Sequence, residues 1–208
     1  MTTAVKLYRN PKSGHCHRVE LMMSLLDVPY ETIDLDMANG AHKAPAYLAI
    51  SPLGQVPAID DNGTTLSDSN AILTYLVARY GDDAEWTGTT PVEKAEIQRW
   101  LSIAAGEIAS GPAAARLVTV FGAGLDHAAA KAKAHALFTV MDAALEGKTF
   151  LVGERLTIAD VAGYSYIAHA PEGGVRLEGY PNILAWLSRI EAQPKFVAMA
   201  KSPVPAGA

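Results

Sequence analysis

The chain has 208 residues, half of them hydrophobic, which suits one large domain or two small ones and is ample for a core. Seventeen basic against 22 acidic residues leave a formal charge of −5, which argues against nucleic acid or an anionic membrane as the main partner but not against a small anion in a local basic pocket. One cysteine, Cys16, excludes an internal disulfide framework, the first ten residues lack the apolar run of a secretory signal, and the most apolar stretch, 103–125, is broken by Glu107, Pro112, Arg116 and several glycines, so the expectation is a soluble cytoplasmic protein without a spanning helix.

Val5, Leu7 and Tyr8 form a short strand-like run. Val19, Met22, Met23 and Leu26 recur at helical spacing and predict a helix over 16–26. Ile33 and Leu35 alternate with Thr32, Asp34 and Asp36 and predict a strand. An apolar helix is expected over 44–49, ending near Ser51 and Pro52. Two short strands then follow, around 56–59 and 64–66, joined by a turn at Asp60-Asp61-Asn62-Gly63. Pro57 has no N–H for a ladder and belongs at a strand start, an edge or a bulge. A cis Val56-Pro57 bond would turn the Val56 N–H and C=O away from the sheet, free for a ligand. A helix over 69–80 places Ile72, Tyr75, Leu76 and Tyr80 on one side. Asp68 and Ser69 open it with capping oxygens, and its first amides face outward. An extended peptide edge beside a helix N-terminus suits a small peptide carrying a carboxylate. The order β-α-β-α-β-β-α makes an α/β domain over 1–80.

Residues 81–91 read as a linker rich in Gly, Asp and Thr. Beyond it only helices are expected, in a second, all-α domain over 91–200. Pro91 suits the first turn of a helix running through Trp100 and Ile108. Gly111-Pro112 is expected to interrupt or kink it before helix resumes through Leu117 and Phe121. Alanine-rich helix follows over 128–145, and a last helix over 182–192. Thr157-Ile158-Ala159-Asp160 has the form of a capping box, with Leu156 and Val161 placed as its hydrophobic staple. That pattern gives Asp160 a structural role at the start of a buried helix.

Ser13-Gly14-His15-Cys16 lies between the first strand and the first helix. It has the spacing of a redox Cys-x-x-Cys motif with serine at the first position. In a thioredoxin-like arrangement that position sits at a helix N-terminus facing the cis-proline loop. Serine cannot run dithiol chemistry, but its hydroxyl can donate to a thiolate brought by a ligand. Lowering a thiol pKa by two units corresponds to about 2.7 kcal/mol of preference for the thiolate. One charge-assisted hydrogen bond plus a helix dipole is of that order.

With these motifs in this order, the chain resembles the cytosolic glutathione transferases over nearly its whole length. The resemblance implies a thioredoxin-like N-terminal domain, an α-helical C-terminal domain that forms the second-substrate pocket, and a homodimer. Ser13 matches the activating serine of the theta- and delta-like transferases and aligns with the catalytic cysteine of the beta-like bacterial class. Val56 matches the residue whose backbone pairs with the cysteinyl part of glutathione, and Pro57 the cis-proline. Asp68 and Ser69 match the acidic residue and serine that hold the γ-glutamyl end. His42 or Lys43 falls where the family contacts the glycine carboxylate, with Gln55 assisting. The implied reaction is transfer of the glutathione thiolate to a small, mostly apolar electrophile, in detoxification, with no metal or cofactor beyond glutathione. A glutathione-dependent peroxidase, reductase or isomerase on the same site, or a non-catalytic binding protein of this fold, are the alternatives. Tyr8 lies near the place of a tyrosine-type activator, but Ser13 fits the loop better. Arg18-Val19 matches the maleylacetoacetate isomerases, whereas their Ser-Ser-Cys does not occur here.

Taken alone, Ser13 would be only an N-cap, and Cys16 is expected to be partly buried and inert. His15 and His17 diverge on one helical turn and have no distal pair, so no metal site is expected; His15 instead polarises the site near Ser13. His127, His135 and His169 read as surface or packing residues. Arg116, Phe121 and Tyr164, with His15, are candidates for the second-substrate pocket. Core packing is the alternative for Phe121 and Tyr164, and a solvated helix face for Arg116.

Overall fold

Val5 and Leu7 are fully buried while Lys6 between them is exposed, the period-two pattern of a strand packed on one face. This strand, β1 (Val5–Arg9), lies inside a four-stranded sheet of order β2-β1-β3-β4. The computed structural model describes residues 4–206. β2 (Tyr30–Asp34) runs parallel to β1, with Val5 opposite Tyr30. β3 (Ala58–Asp61) is antiparallel to β1, with Leu7 opposite Ile59, and pairs with β4 (Thr64–Ser67). The β3–β4 hairpin closes on Asn62 and Gly63, whose φ of 51° and 91° make the two left-handed positions of a primed turn.

A parallel pair needs a crossover, and α1 (Gly14–Leu25) supplies it, burying Val19, Leu21, Met22 and Met23. α3 (Ser69–Tyr80) packs against α1 and buries Ile72, Leu73, Leu76 and Val77 completely. Between β2 and β3 the helix expected over 44–49 is a 3-10 turn, Ala41–Lys43, followed by the short α2 (Pro45–Leu48). Val56 stands outside β3, because the ladder starts only after Pro57, at Ala58. The first compact unit comprises the chain through Asp83 together with Pro194–Ala200. That late segment, which the sequence places with the helical half, is held here: His17 Nε2 is 2.8 Å from the Val197 carbonyl, and Ser24 Oγ donates to the Lys195 carbonyl at 2.7 Å.

A short helix, α4 (Asp83–Thr87), occupies part of the segment expected to be a linker. The second unit comprises Ala84–Gln193 and the residues from Lys201 onward. Its first long helix is α5 (Pro91–Ile103), opened by a Thr90/Glu93 capping box. Glu93 Oε2 accepts from the amides of Thr89 and Thr90 and from Thr89 Oγ1, which holds its carboxyl down at about 2. At Gly111-Pro112 the chain stays helical, and the departure from α geometry takes the form of a change of spacing rather than a break. Helix continues through a π-helical segment, Ala104–Ala113, into α6 (Ala114–Phe121). Pro112 has no N–H to give, and its ring would clash within an α-turn; the wider π spacing accommodates it. Gly111 allows α7 (His127–Ala144) to come close, since a Cβ there would lie 3.1 Å from the Ala134 nitrogen. α8 (Ile158–Ala168) is buried from Ile158 through Ile167, and the unit ends with α9 (Pro181–Glu191). Phe138, Met141, Ile167 and Trp186 are completely buried in this core.

Candidate active site

The chain leaves β1, turns at Asn10 and enters α1 at Ser13. Ser13 is the N-cap: its backbone is extended, and its Oγ accepts from the Cys16 amide at 3.4 Å. The partial positive charge of the helix N-terminus therefore falls at this hydroxyl. Cys16 is 1 % exposed. Burial pushes its thiol up to about 11, against the opposing pull of the Ser13 hydroxyl and the Asn10 amide. The sequence reading expects Cys16 to be partly buried; its burial is complete, and a thiol so protonated at neutral pH is no nucleophile.

A pocket of about 140 Å³ opens in the same unit. Its lining brings together Gln55, Val56 and Pro57 from the loop before β3, and Ser67, Asp68 and Ser69 where β4 passes into α3. His15, from the first turn of α1, joins them, with Ser51 and Leu53. The Val56-Pro57 bond is cis. Among the described residues no hydrogen bond engages the Val56 N–H or C=O. The residues just before it are tied down: the Gln55 carbonyl accepts from Tyr47 Oη at 2.7 Å and from Ser51 Oγ at 2.9 Å.

Asp68 adopts φ 74°, ψ 119°, a conformation that non-glycine residues rarely take. Its Oδ1 accepts from the amides of Asn70 at 3.0 Å and Ala71 at 2.9 Å, capping α3. The Ser69 amide is left without an acceptor among the described residues. Ser69 Oγ sits 3.1 Å from Arg18 Nη1 and 3.1 Å from His15 Nδ1. Arg18 is 1 % exposed and also donates to Asn70 Oδ1 at 2.7 Å. Burial, reinforced by the Arg18 guanidinium and opposed by Asp68, pulls the His15 imidazole down to about 3. His15 is neutral at physiological pH and too weak a base to hold a thiol proton.

Models of two families match the chain: "Glutathione S-transferase, N-terminal domain" over residues 3–78 and "Glutathione S-transferase, C-terminal domain" over residues 125–194. The chain belongs to the glutathione S-transferase family. Glutathione S-transferase 4 of Zea mays is 30 % identical, over 100 % of this chain and 97 % of the relative. Glutathione S-transferase theta-1 of Mus musculus is 28 % identical, over 90 % of this chain and 82 % of the relative. The crystal structure of a glutathione S-transferase from Pseudomonas fluorescens superposes with a TM-score of 0.87 at 31 % identity, covering 95 % of this chain and 99 % of that one. The transferase thus has the thioredoxin-like domain followed by a helical domain that its sequence predicts.

The sequence-predicted site residues of this transferase fall into three groups. Gln55, Val56, Pro57, Asp68, Ser69 and His15 line one pocket. Ser13 stands two residues before His15 but is not itself part of that lining. His42 and Lys43 also lie outside it. Lys43 Nζ donates to the carbonyls of Leu53 at 3.0 Å and Gly54 at 3.4 Å, which pins the loop before Val56. His42 has its Nδ1 buried without a hydrogen bond among the described residues. Gly54 (φ 60°) is required here, since a Cβ would lie 2.6 Å from the His42 carbonyl and 2.8 Å from Lys43 Nζ.

The candidates in the helical unit separate further. Arg116 does not lie on a solvated face and is not open to a substrate. It is 1 % exposed, and its Nε donates to Glu172 Oε2 at 2.6 Å. Glu172 Oε1 is also 2.6 Å from His169 Nδ1 and accepts from the Ser202 amide at 2.9 Å. Arg116 is thus spent on a buried ion pair that joins α6 to the 3-10 turn after α8, Ala170–Gly173. Tyr164 is 3 % exposed and donates from Oη to Glu191 Oε1 at 2.9 Å, so it packs. Phe121, at the end of α6, is exposed and presents an open apolar face. His127 and His135 also find partners, at the Gly173 carbonyl and Tyr180 Oη. Sequence reasoning missed Arg18 and Tyr47. The signal for Arg18 was present: a charged residue one turn before Met22, on the stripe that faces the core.

Among the described residues no group of His, Cys, Asp and Glu is arranged to hold a metal ion. No described helix is long and apolar enough to cross a membrane.

Proposed function

We propose that this transferase binds glutathione in the pocket of the first unit and transfers its sulfur to small, mostly apolar electrophiles. The observation that carries this reading is the convergence of the unengaged Val56 backbone, the open amide of Ser69 and the α1 N-terminus within one unit. In this reading the Val56 N–H and C=O pair with the cysteinyl part, while Asp68 and Ser69 take the ammonium and carboxylate of the γ-glutamyl end. His42, Lys43 and Gln55 serve the glycine end. The thiol is then held near Ser13, whose hydroxyl rotates to donate to the sulfur as the proton leaves for solvent. The thiolate attacks the electrophilic carbon, an S–C bond forms, and the leaving group departs with the bonding pair. Positioning supplies much of the rate, because the nucleophile is fixed before the electrophile arrives. A cytoplasmic homodimer that detoxifies electrophiles, with glutathione as its only co-substrate, completes the reading.

Titration of the bound thiol by its thiolate absorbance tests it. Bound glutathione should ionise about two pKa units below the free thiol, and Ser13→Ala should raise that value and slow turnover about 100-fold below the shifted pKa. Glutathione affinity should change little. A pKa indifferent to the substitution would sink the serine mechanism. Tight glutathione binding without conjugation of an aryl halide would favour a binding protein instead.

A further inference from the structure

Ser69 Oγ meets two side chains whose role the transferase reading does not by itself explain. The residue is 5 % exposed yet lines the pocket, and its Oγ lies 3.1 Å from both Arg18 and His15. Arginine can only donate, so Ser69 Oγ accepts there. A bond from the same Nη1 to Asn70 Oδ1 helps to hold Arg18 in that position. One lone pair and one proton then remain on the Ser69 hydroxyl. His15 Nδ1 takes one of the two, and the pocket receives the other. If the imidazole accepts, Ser69 offers the pocket a lone pair, which suits an ammonium. If the imidazole donates, Ser69 offers an O–H, which suits a carboxylate.

The charges around the hydroxyl decide between these. The Arg18 guanidinium lies beneath it, and the N-terminus of the twelve-residue α3, with the open Ser69 amide, lies beside it. Both favour an anion at this point. The Asp68 carboxylate, exposed next to it, is the place for the ammonium of the same amino-acid end.

We propose that His15 and Arg18 are positioning residues that both donate to Ser69 Oγ and so hold its hydroxyl proton turned outward, toward the carboxylate assigned to it above. An oxygen that accepts two N–H bonds is polarised into a stronger donor. His15, which begins as a neighbour of the thiol-activating Ser13, thereby ties the sulfur end of the site to its carboxylate end. The inference rests on the glutathione reading above.

The test compares glutathione with γ-aminobutyryl-cysteinyl-glycine, which lacks only the γ-glutamyl α-carboxylate, by calorimetric binding to the full chain. The wild type should prefer glutathione by about tenfold or more, the range of a charge-assisted hydrogen bond. His15→Phe should lower glutathione affinity about tenfold and leave the analogue unchanged. His15→Asn, whose amide N–H replaces that of Nδ1, should restore most of the discrimination, and Arg18→Lys should reduce it. Equal weakening of both ligands by His15→Phe, or a wild type indifferent to the carboxylate, would overturn the inference and leave the transferase reading standing. A wild type that binds neither ligand would overturn both. Thermal melting of each variant separates loss of fold from loss of selectivity.

Discussion

Two helix N-termini in this molecule carry the same local chemistry and serve opposite ends. At α8, Thr157 and Asp160 form a capping box in the core. Asp160 is completely buried, and every acceptor position is used. Its Oδ2 accepts from the Thr157 amide at 2.9 Å and the Thr157 hydroxyl at 3.1 Å, and its Oδ1 from the Leu151 amide and Trp186 Nε1, both at 2.9 Å. At α3, Asp68 is exposed, spends one oxygen on two amides and leaves the Ser69 N–H and hydroxyl at a pocket. A cap that consumes all its donors and acceptors is structural. One that leaves some of them facing a cavity is available for a ligand. The difference lies in what the surrounding core closes off and not in the capping residues themselves.

The largest effect should come from breaking the closed cap. Asp160→Ala strands three N–H donors in the core, each costing about 1–3 kcal/mol. The variant should lose about 3 kcal/mol or more in denaturant unfolding. A loss below about 1 kcal/mol would show that water enters and replaces the carboxylate.

The next test concerns pH at the open end. His15 titrates near 6.5 when unfolded and about 3 when folded, because burial and Arg18 disfavour its cation. Between these values the unfolded chain binds a proton that the native chain does not. Stability should therefore be full above about pH 6.5 and fall as pH drops toward 3, with a slope from this group of about 1.4 kcal/mol per pH unit. His15→Phe should flatten the fall between about pH 6 and 5. Glu93 and Asp61, whose carboxyls are held below their usual range, add their losses only below about pH 4.5. An unchanged acid limb in His15→Phe would mean that the imidazole is solvated.

The smallest stability effect, and the sharpest contrast, belongs to Asp68. Asp68→Asn keeps an oxygen cap and tolerates the positive φ, so stability should stay within about 0.5 kcal/mol, while glutathione affinity falls about tenfold as the ammonium loses its counter-charge. Asp68→Ala should lose affinity to the same degree and about 1 kcal/mol of stability as well. Undiminished glutathione affinity in Asp68→Asn would mean that Asp68 acts only as a cap.

Much of this was legible in the chain. Strands β1 and β2, helix α1 and the hairpin follow from apolar periodicity and from Asn62-Gly63. The bounds of α3 and the Asp160 capping box follow from side chains that bond within three residues of themselves. The Thr90-x-x-Glu93 box has the same local form, beside the Pro91 that predicts the start of α5. At Gly111-Pro112 the expected interruption or kink takes the form of a π-helical segment, for a reason the local pattern does not carry. Glycine there serves the approach of α7, which no local pattern contains.

By itself the sequence determined what is local and periodic: the element order, the caps, the serine at the head of α1 and the peptide edge next to Pro57. Only the tertiary structure decided which charges are buried and against what. Arg116 and Arg18 look alike as cations in apolar helices, yet one is held by Glu172 in the helical unit and the other supports Ser69 at the pocket. A buried charge must find its partner in space, here 56 and 51 residues away along the chain, and such pairings are set by packing and not by neighbours in sequence.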